Sequence, residues 1–138
     1  MAERHIYEHL VRFRDCDPAG LVFYGHFYEW FDDAAWALMR AVADEAGVDL
    51  GRALFPLAHV EASFTGPVRW NDLFRVATTV AQIGRSSFVL RHRGFVGEVA
   101  TSVCTEKRVY CERVSEREVA GRPIPDAIRA GMQQRQEA

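Results

Sequence analysis

Residues 14–33 read RDCDPAGLVFYGHFYEWFDD, an acidic, turn-prone segment that runs directly into aromatic residues. Asp15 and Asp17 sit two apart, and Pro18 and Gly20 behind them oppose regular strand pairing. From about Gly25 to Ala46 the pattern is helical. Phe27, Phe31, Ala34, Leu38 and Val42 recur at steps of four, three, four and four, which is one face of a 3.6-residue period. Glu29, Asp33, Arg40 and Asp44 fall outside that stripe, and Gly47 is a natural C-terminal stop. The segment therefore predicts an irregular acidic loop that feeds a long core helix.

On both sides of this unit the period drops to two. Residues 5–13, HIYEHLVRF, put Tyr7, His9, Val11 and Phe13 on one face of a first strand. After Pro56, Ala58, Val60, Ala62 and Phe64 alternate with His59, Glu61, Ser63 and Thr65 until Gly66 and Pro67. Residues 73–83, 87–95 and 98–112 are further strands, parted by Gly84-Arg85-Ser86 and by Gly97. A tail from Gly121 carries Pro123, Pro125, a short helix and a polar end, expected to be frayed from about residue 130. One strand, one long helix and four more strands imply a single α+β domain over residues 1–138. In it a five-stranded antiparallel sheet lies against one helix.

Composition narrows the class. The 138 residues are 49% apolar, which suits one packed core, and no apolar run is long enough for a membrane span. The first ten residues, MAERHIYEHL, lack the apolar core of a signal peptide, so a cytoplasmic protein is expected. Lys plus Arg is 17 against 19 for Asp plus Glu, which argues against a broad nucleic-acid footprint. The basic residues are nearly all Arg, a better fork for phosphate or carboxylate than Lys.

Cys16, Cys104 and Cys111 are an odd number with no CxxC spacing, and the histidines show no metal-ligand spacing. No disulfide framework or metal site is expected. Cys104 and Cys111 read as small hydrophobes in strands. Cys16 lies in the acidic segment and is considered as a nucleophile, but the nearness of His26 in sequence is not triad geometry.

The acidic string has rivals. A calcium loop starting at Asp15 needs an oxygen ligand at its fifth position and Glu at its twelfth, and those positions hold Ala19 and His26. A phosphatase-type Asp pair calls for alternating strands and helices, whereas this chain has one long helix. The plain alternative is that both Asp residues form turns.

The segment DCDPAGLVFYGHFYEWFDDA resembles the signature of the 4-hydroxybenzoyl-CoA thioesterase family, of hotdog fold. The likeness is carried by Asp15, Asp17, Pro18, Ala19, Gly20, Val22, Phe23, Tyr24, Trp30 and Asp32. ASFTGPVRWNDLFRV at 62–76, RSSFVLRH at 85–92 and RPIPDAIR at 122–129 extend it over nearly the whole chain. Two positions depart from other members. Many relatives have His where Tyr24 stands, although those acting on aromatic acyl-CoA more often carry Tyr. One has a basic residue in place of Ser86.

The resemblance implies a sheet wrapped around a central helix and hydrolysis of an acyl-CoA, with aromatic acyl groups leading. Asp17 would attack the carbonyl or activate a water, and the Tyr24 backbone N–H at the helix N-terminus would hold the thioester oxygen. Asp32 would accept a ring hydroxyl, pair with an Arg or cap a strand. His59 and Glu61 share a strand face and are candidates for the pocket. Arg85, Ser86 and Ser87 are candidates for the CoA phosphates, against a plain hairpin. No cofactor is implied beyond the CoA carried by the substrate. The partners expected are acyl-CoA and further copies of the chain in a dimer of dimers, not nucleic acid or membrane. Alternatives are an aliphatic acyl-CoA or acyl carrier protein thioesterase, a non-catalytic binding module, and a dehydratase of the same fold. The aromatic run counts against the aliphatic reading, retention of Asp17 against the binding module, and Tyr24 in place of a His against the dehydratase.

Overall fold

The computed structural model describes residues 5–138. The chain enters as strand β1 (His5–Leu10), passes a 3-10 turn at Phe13–Asp15 and continues into helix α1 (Tyr24–Ala46). Strands β2 (Ala53–Leu54), β3 (Leu57–Phe64), β4 (Leu73–Ile83), β5 (Ser87–Val96), β6 (Val99–Val109), β7 (Cys111–Arg113) and β8 (Val119–Gly121) follow. Helix α2 (Asp126–Gln133) comes last. The main sheet has the order β1-β4-β5-β6-β3, all antiparallel, and α1 lies across its inner face. A small sheet, β2-β7-β8, flanks it.

The helical stripe read from sequence is the stripe that is buried. Phe27, Phe31, Ala34, Leu38 and Val42 are all core, while Glu29, Asp33, Arg40 and Asp44 are exposed. Gly47 ends the helix at φ +67°, a left-handed conformation that costs little only without a Cβ. The apolar side chains form two clusters. One surrounds Phe27, Trp30, Phe31, Phe74 and Val76. The other joins the C-terminal half of α1, through Leu38 and Val42, to Leu90, Phe88 and α2. Helix α2 approaches α1 closely at Gly131, where a Cβ would lie 2.7 Å from Val42.

Three expectations are corrected. The first strand ends at Leu10, so Phe13 is not on its face. It is exposed in the 3-10 turn, edge-on to Trp70. The last long strand stops at Val109. Tyr110 breaks it, donating its N–H to Ser86 O, and β7 turns into the small sheet. The tail beyond 130 is not frayed. As described, β1 covers β4 only from Leu73 to Thr78, and this leaves the backbone of Val80 open. The tail fills the gap: Val80 N–H donates to Arg135 O and Glu137 N–H donates to Val80 O. Arg135 is buried and donates to both oxygens of Glu45 on α1.

Candidate active site

The loop between β1 and α1 separates its two acids. Asp15 is buried and closes the 3-10 turn, with Oδ2 accepting the Arg12 N–H at 2.8 Å and lying 2.9 Å from His9 Nε2. His9 in turn stacks on Trp30 of α1 with ring centroids 4.3 Å apart. Burial pushes the Asp15 carboxyl up. The His9 bond, the Arg12 amide and the charges on His9 and His26 outweigh it and hold the group below its ordinary value.

Asp17 is only half-buried. Its Oδ1 accepts the amides of Ala19 (2.9 Å) and Leu21 (3.3 Å), and Oδ2 has no bond to a described residue. The loop closes on itself: Cys16 pairs with Val22, Asp17 N–H donates to Leu21 O, and Phe23 N–H donates to Asp15 O.

That last bond delivers the loop to the start of α1. The helix begins at Tyr24 with Phe23 in an extended conformation. No side chain caps it and no acid stands in its first turn. The first amides of a helix have no intrahelical acceptor, and the usual Ser, Thr or Asp at the cap is replaced here by Phe. Gly25 makes room for this, since a Cβ there would lie 2.8 Å from the Phe23 ring. A carboxylate with a spare oxygen and an uncapped helix N-terminus thus belong to one local unit. Around Cys16 the surroundings disfavour a thiolate. Burial, then the charges of Asp15, Asp17 and Asp72, push its thiol up, against the thiolate form.

Further along α1, Asp32 accepts a hydrogen bond from Arg108 Nη2 at 2.9 Å, so of the three roles read from sequence the pairing with an Arg is present. Arg108 is buried and also donates to Glu106 Oε2 (2.8 Å) and Phe55 O (2.9 Å). Behind it Glu106 Oε1 meets His92 Nε2 at 2.5 Å, and His92 Nδ1 meets Thr78 Oγ1 at 2.7 Å. Phe31 stacks on the His92 ring. Burial alone pushes the Glu106 carboxyl up, but His92 and Arg108 bond it and hold it low. Asp32 and Arg108 line a cavity of about 450 Å³ with Trp36, Phe55 and Leu57.

Thr78, His92, Glu106 and Arg108 form a buried polar row behind Asp32 that sequence reasoning missed. They alternate inward on three strands, and only strand register brings them together.

The remaining candidates fall in different places. Val60 and Ala62 pack inward, so His59 and Glu61, at the alternate positions of β3, are exposed on the opposite face. Neither lines the cavity at Asp32, because the period of two that gives them a common face turns that face outward. The Gly84–Ser87 turn stands at the Arg108 end of the sheet, since Phe88 pairs with Arg108. Arg85 is exposed, and the turn is held by Arg129, whose Nη2 donates to Gly84 O at 2.8 Å and to Arg85 O at 3.3 Å. Arg129 was legible only as the last residue of RPIPDAIR.

Residues 19–103 match the thioesterase superfamily. Over 96 residues the chain is 28% identical to a 4-hydroxybenzoyl-CoA thioesterase of Pseudomonas sp. strain CBS-3, covering 67% of this chain and 68% of that protein. Over 90 residues it is 24% identical to a 1,4-dihydroxy-2-naphthoyl-CoA hydrolase of Synechococcus elongatus, covering 63% of this chain and 66% of that one. Its structure is similar to that of a gentisyl-coenzyme A thioesterase, with a TM-score of 0.79 and 26% identity over 93% of this chain and 99% of the other. The five-stranded antiparallel sheet wrapped on one long helix is the hotdog fold of these proteins. By fold and by match over most of its length, the chain belongs to the thioesterase superfamily and is a thioester hydrolase.

Proposed function

We propose that the protein hydrolyses an aromatic acyl-CoA, of benzoyl or hydroxybenzoyl type, to the free acid and CoA. The observation that carries this reading is the uncapped first turn of α1 beside the half-buried Asp17. In the proposed reaction the thioester oxygen accepts from the Tyr24 amide, where the helix dipole favours the negative charge that develops. Asp17 Oδ2 either attacks the carbonyl, giving a mixed anhydride that water opens, or takes a proton from the attacking water. In both routes the C–S bond breaks and CoA leaves as a thiolate. A free thiol has a pKa of about 8.5, so no strong general acid is needed.

The aromatic preference rests on spacing. Asp32 follows Tyr24 by eight residues, about 12 Å along a helix. Hydrogen bonds of about 2.9 Å at each end occupy roughly half of that. The remainder suits one substituted ring whose hydroxyl stands opposite the thioester.

The Gly84–Ser87 turn, with Arg85, Ser86, Ser87 and the adjoining Arg129, is proposed for the CoA phosphates, which Arg and turn amides suit. Two chains are proposed to pair along β3, and two such pairs to form a dimer of dimers. Strand β3 is a sheet edge, and Leu57, Phe64 and Tyr28 beside it are exposed large side chains that pairing would cover. No cofactor is needed beyond the CoA of the substrate. No helix among the described residues is long and apolar enough to cross a membrane, and a cytoplasmic site of action belongs to the same proposal.

The test is thiol release from benzoyl-CoA, 4-hydroxybenzoyl-CoA, hexanoyl-CoA and palmitoyl-CoA, with Asp17→Asn beside the parent. Turnover of the aromatic esters that collapses in the variant is expected. Faster turnover of the aliphatic esters would overturn the aromatic assignment. Equal rates in parent and variant would remove Asp17 from the chemistry. Tight CoA binding with no release from any ester would point to a binding module.

A further inference from the structure

Asp32 by itself is a poor reader of an acyl group. Its side chain is half exposed on α1, and a short carboxylate at a solvent boundary turns freely between donors. Arg108 removes that freedom. Its Nη2 holds Asp32 Oδ1, which leaves Oδ2 for a ligand. Arg108 cannot follow Asp32 outward, because Nη1 is tied to Phe55 O and Nη2 also to Glu106. Glu106 is fixed in turn by His92, and His92 by Thr78, all of them buried on the inner face of the sheet. The row crosses three strands and ends at the cavity wall.

The charges in the row say what the cavity accepts. Asp32 and Glu106 bring two negative charges and Arg108 one positive, with His92 either neutral or charged. In either state of His92 there is no excess positive charge. A terminal carboxylate on the acyl group therefore gains nothing here. A neutral hydroxyl, donating to a carboxylate held in place, gains a charge-assisted bond.

We propose that Arg108 is the specificity-determining residue of the acyl pocket. It fixes Asp32 as an acceptor, so that the site selects an acyl group ending in a neutral hydrogen-bond donor over one ending in hydrogen or in an anion. Glu106, His92 and Thr78 act through Arg108 as positioning residues. The inference rests on the aromatic acyl reading above and assigns its selectivity to a residue far from the thioester.

The test reads binding, so that it does not depend on turnover. Calorimetry compares three non-hydrolysable thioethers of CoA, phenacyl, 4-hydroxyphenacyl and 4-carboxyphenacyl. The parent is expected to bind the hydroxylated analogue at least about tenfold more tightly than the plain one, the range of a hydrogen bond to a charged group, and the carboxylated analogue least. Arg108→Met is expected to bring the hydroxylated and plain analogues close to parity, with CoA itself bound as in the parent. Where Arg108→Met fails to fold, Arg108→Met with Glu106→Leu withdraws both buried charges together, a change that apolar packing tolerates, and the same parity is expected. A folded variant that keeps the parent's preference would overturn the inference, as would a parent with no preference. A parent that hydrolyses neither aromatic ester, yet prefers the hydroxylated analogue and loses that preference with Arg108, would overturn the proposed hydrolysis and uphold the inference.

Discussion

The loop that carries Asp17 and the polar row that ends at Asp32 both present a carboxylate beside α1, by opposite constructions. The loop is local. Most bonds that shape it, from Arg12 to Phe23, join residues within eight positions of each other, and backbone groups make most of them; the link from Val22 N–H to Val68 O ties its far end to the rest of the chain. The row is non-local. Its links span 14 residues from Thr78 to His92, 14 from His92 to Glu106 and 76 from Asp32 to Arg108, and Glu106 and Arg108 are buried on the inner face of the sheet. A local unit at the surface can give up a side chain and keep its shape. A buried ionic row cannot, because each charge removed leaves its partner without compensation in a medium that does not solvate it.

The largest expected effect tests the independence of the loop. Asp17→Asn keeps an oxygen for the Ala19 and Leu21 amides, so its thermal midpoint should match the parent, while kcat falls by about 10²–10⁴, the range for a lost general base. A variant that loses both activity and stability would show that the loop is less self-contained than its bonds imply. Next in size is Glu106→Ala, which strands buried Arg108 and His92 and should cost about 3–5 kcal/mol in urea unfolding. A loss under about 1 kcal/mol would mean that the row relaxes as readily as a surface loop.

Acid titration sharpens the contrast with a continuous variable. The carboxyls of Asp15 and Glu106 are both held below their ordinary values of 3.8 and 4.5 in the folded chain. Their contribution is therefore complete above those values and is lost as the pH falls below them, through the depressed folded values. Stability should decline below about pH 4, and Glu106→Gln should flatten that decline more than Asp15→Asn, measured as unfolding midpoint against pH. The smallest effect is expected at Asp15 itself. Asp15→Asn keeps one acceptor for the Arg12 amide and should cost about 1 kcal/mol near neutral pH, in the range of a single hydrogen bond.

Much of the frame was legible in the chain. The stripe from Phe27 to Val42, the Gly47 stop and the strands at 73–83 and 87–95 follow from side-chain period and turn residues, which are local properties. The DxD segment was legible as a unit. Which of its acids is structural was not, because Asp15 is claimed by His9 on the neighbouring strand. Phe13 was misread because an alternating pattern does not mark where a strand ends. The tail was misread because QQRQEA looks like any solvated end until the open backbone of Val80 is known.

By itself the sequence determined the helix, the alternation along the strands and the acidic loop that feeds the helix. Those depend on dihedral preference and on which side chains avoid water. Only the tertiary structure decided that His92 and Glu106 are buried partners, that Arg108 reaches Asp32, and that His59 and Glu61 face away. Periodicity says which side chains of a strand share a face. It does not say which strand lies beside it, in what register, or which buried charge will meet its counter-charge there.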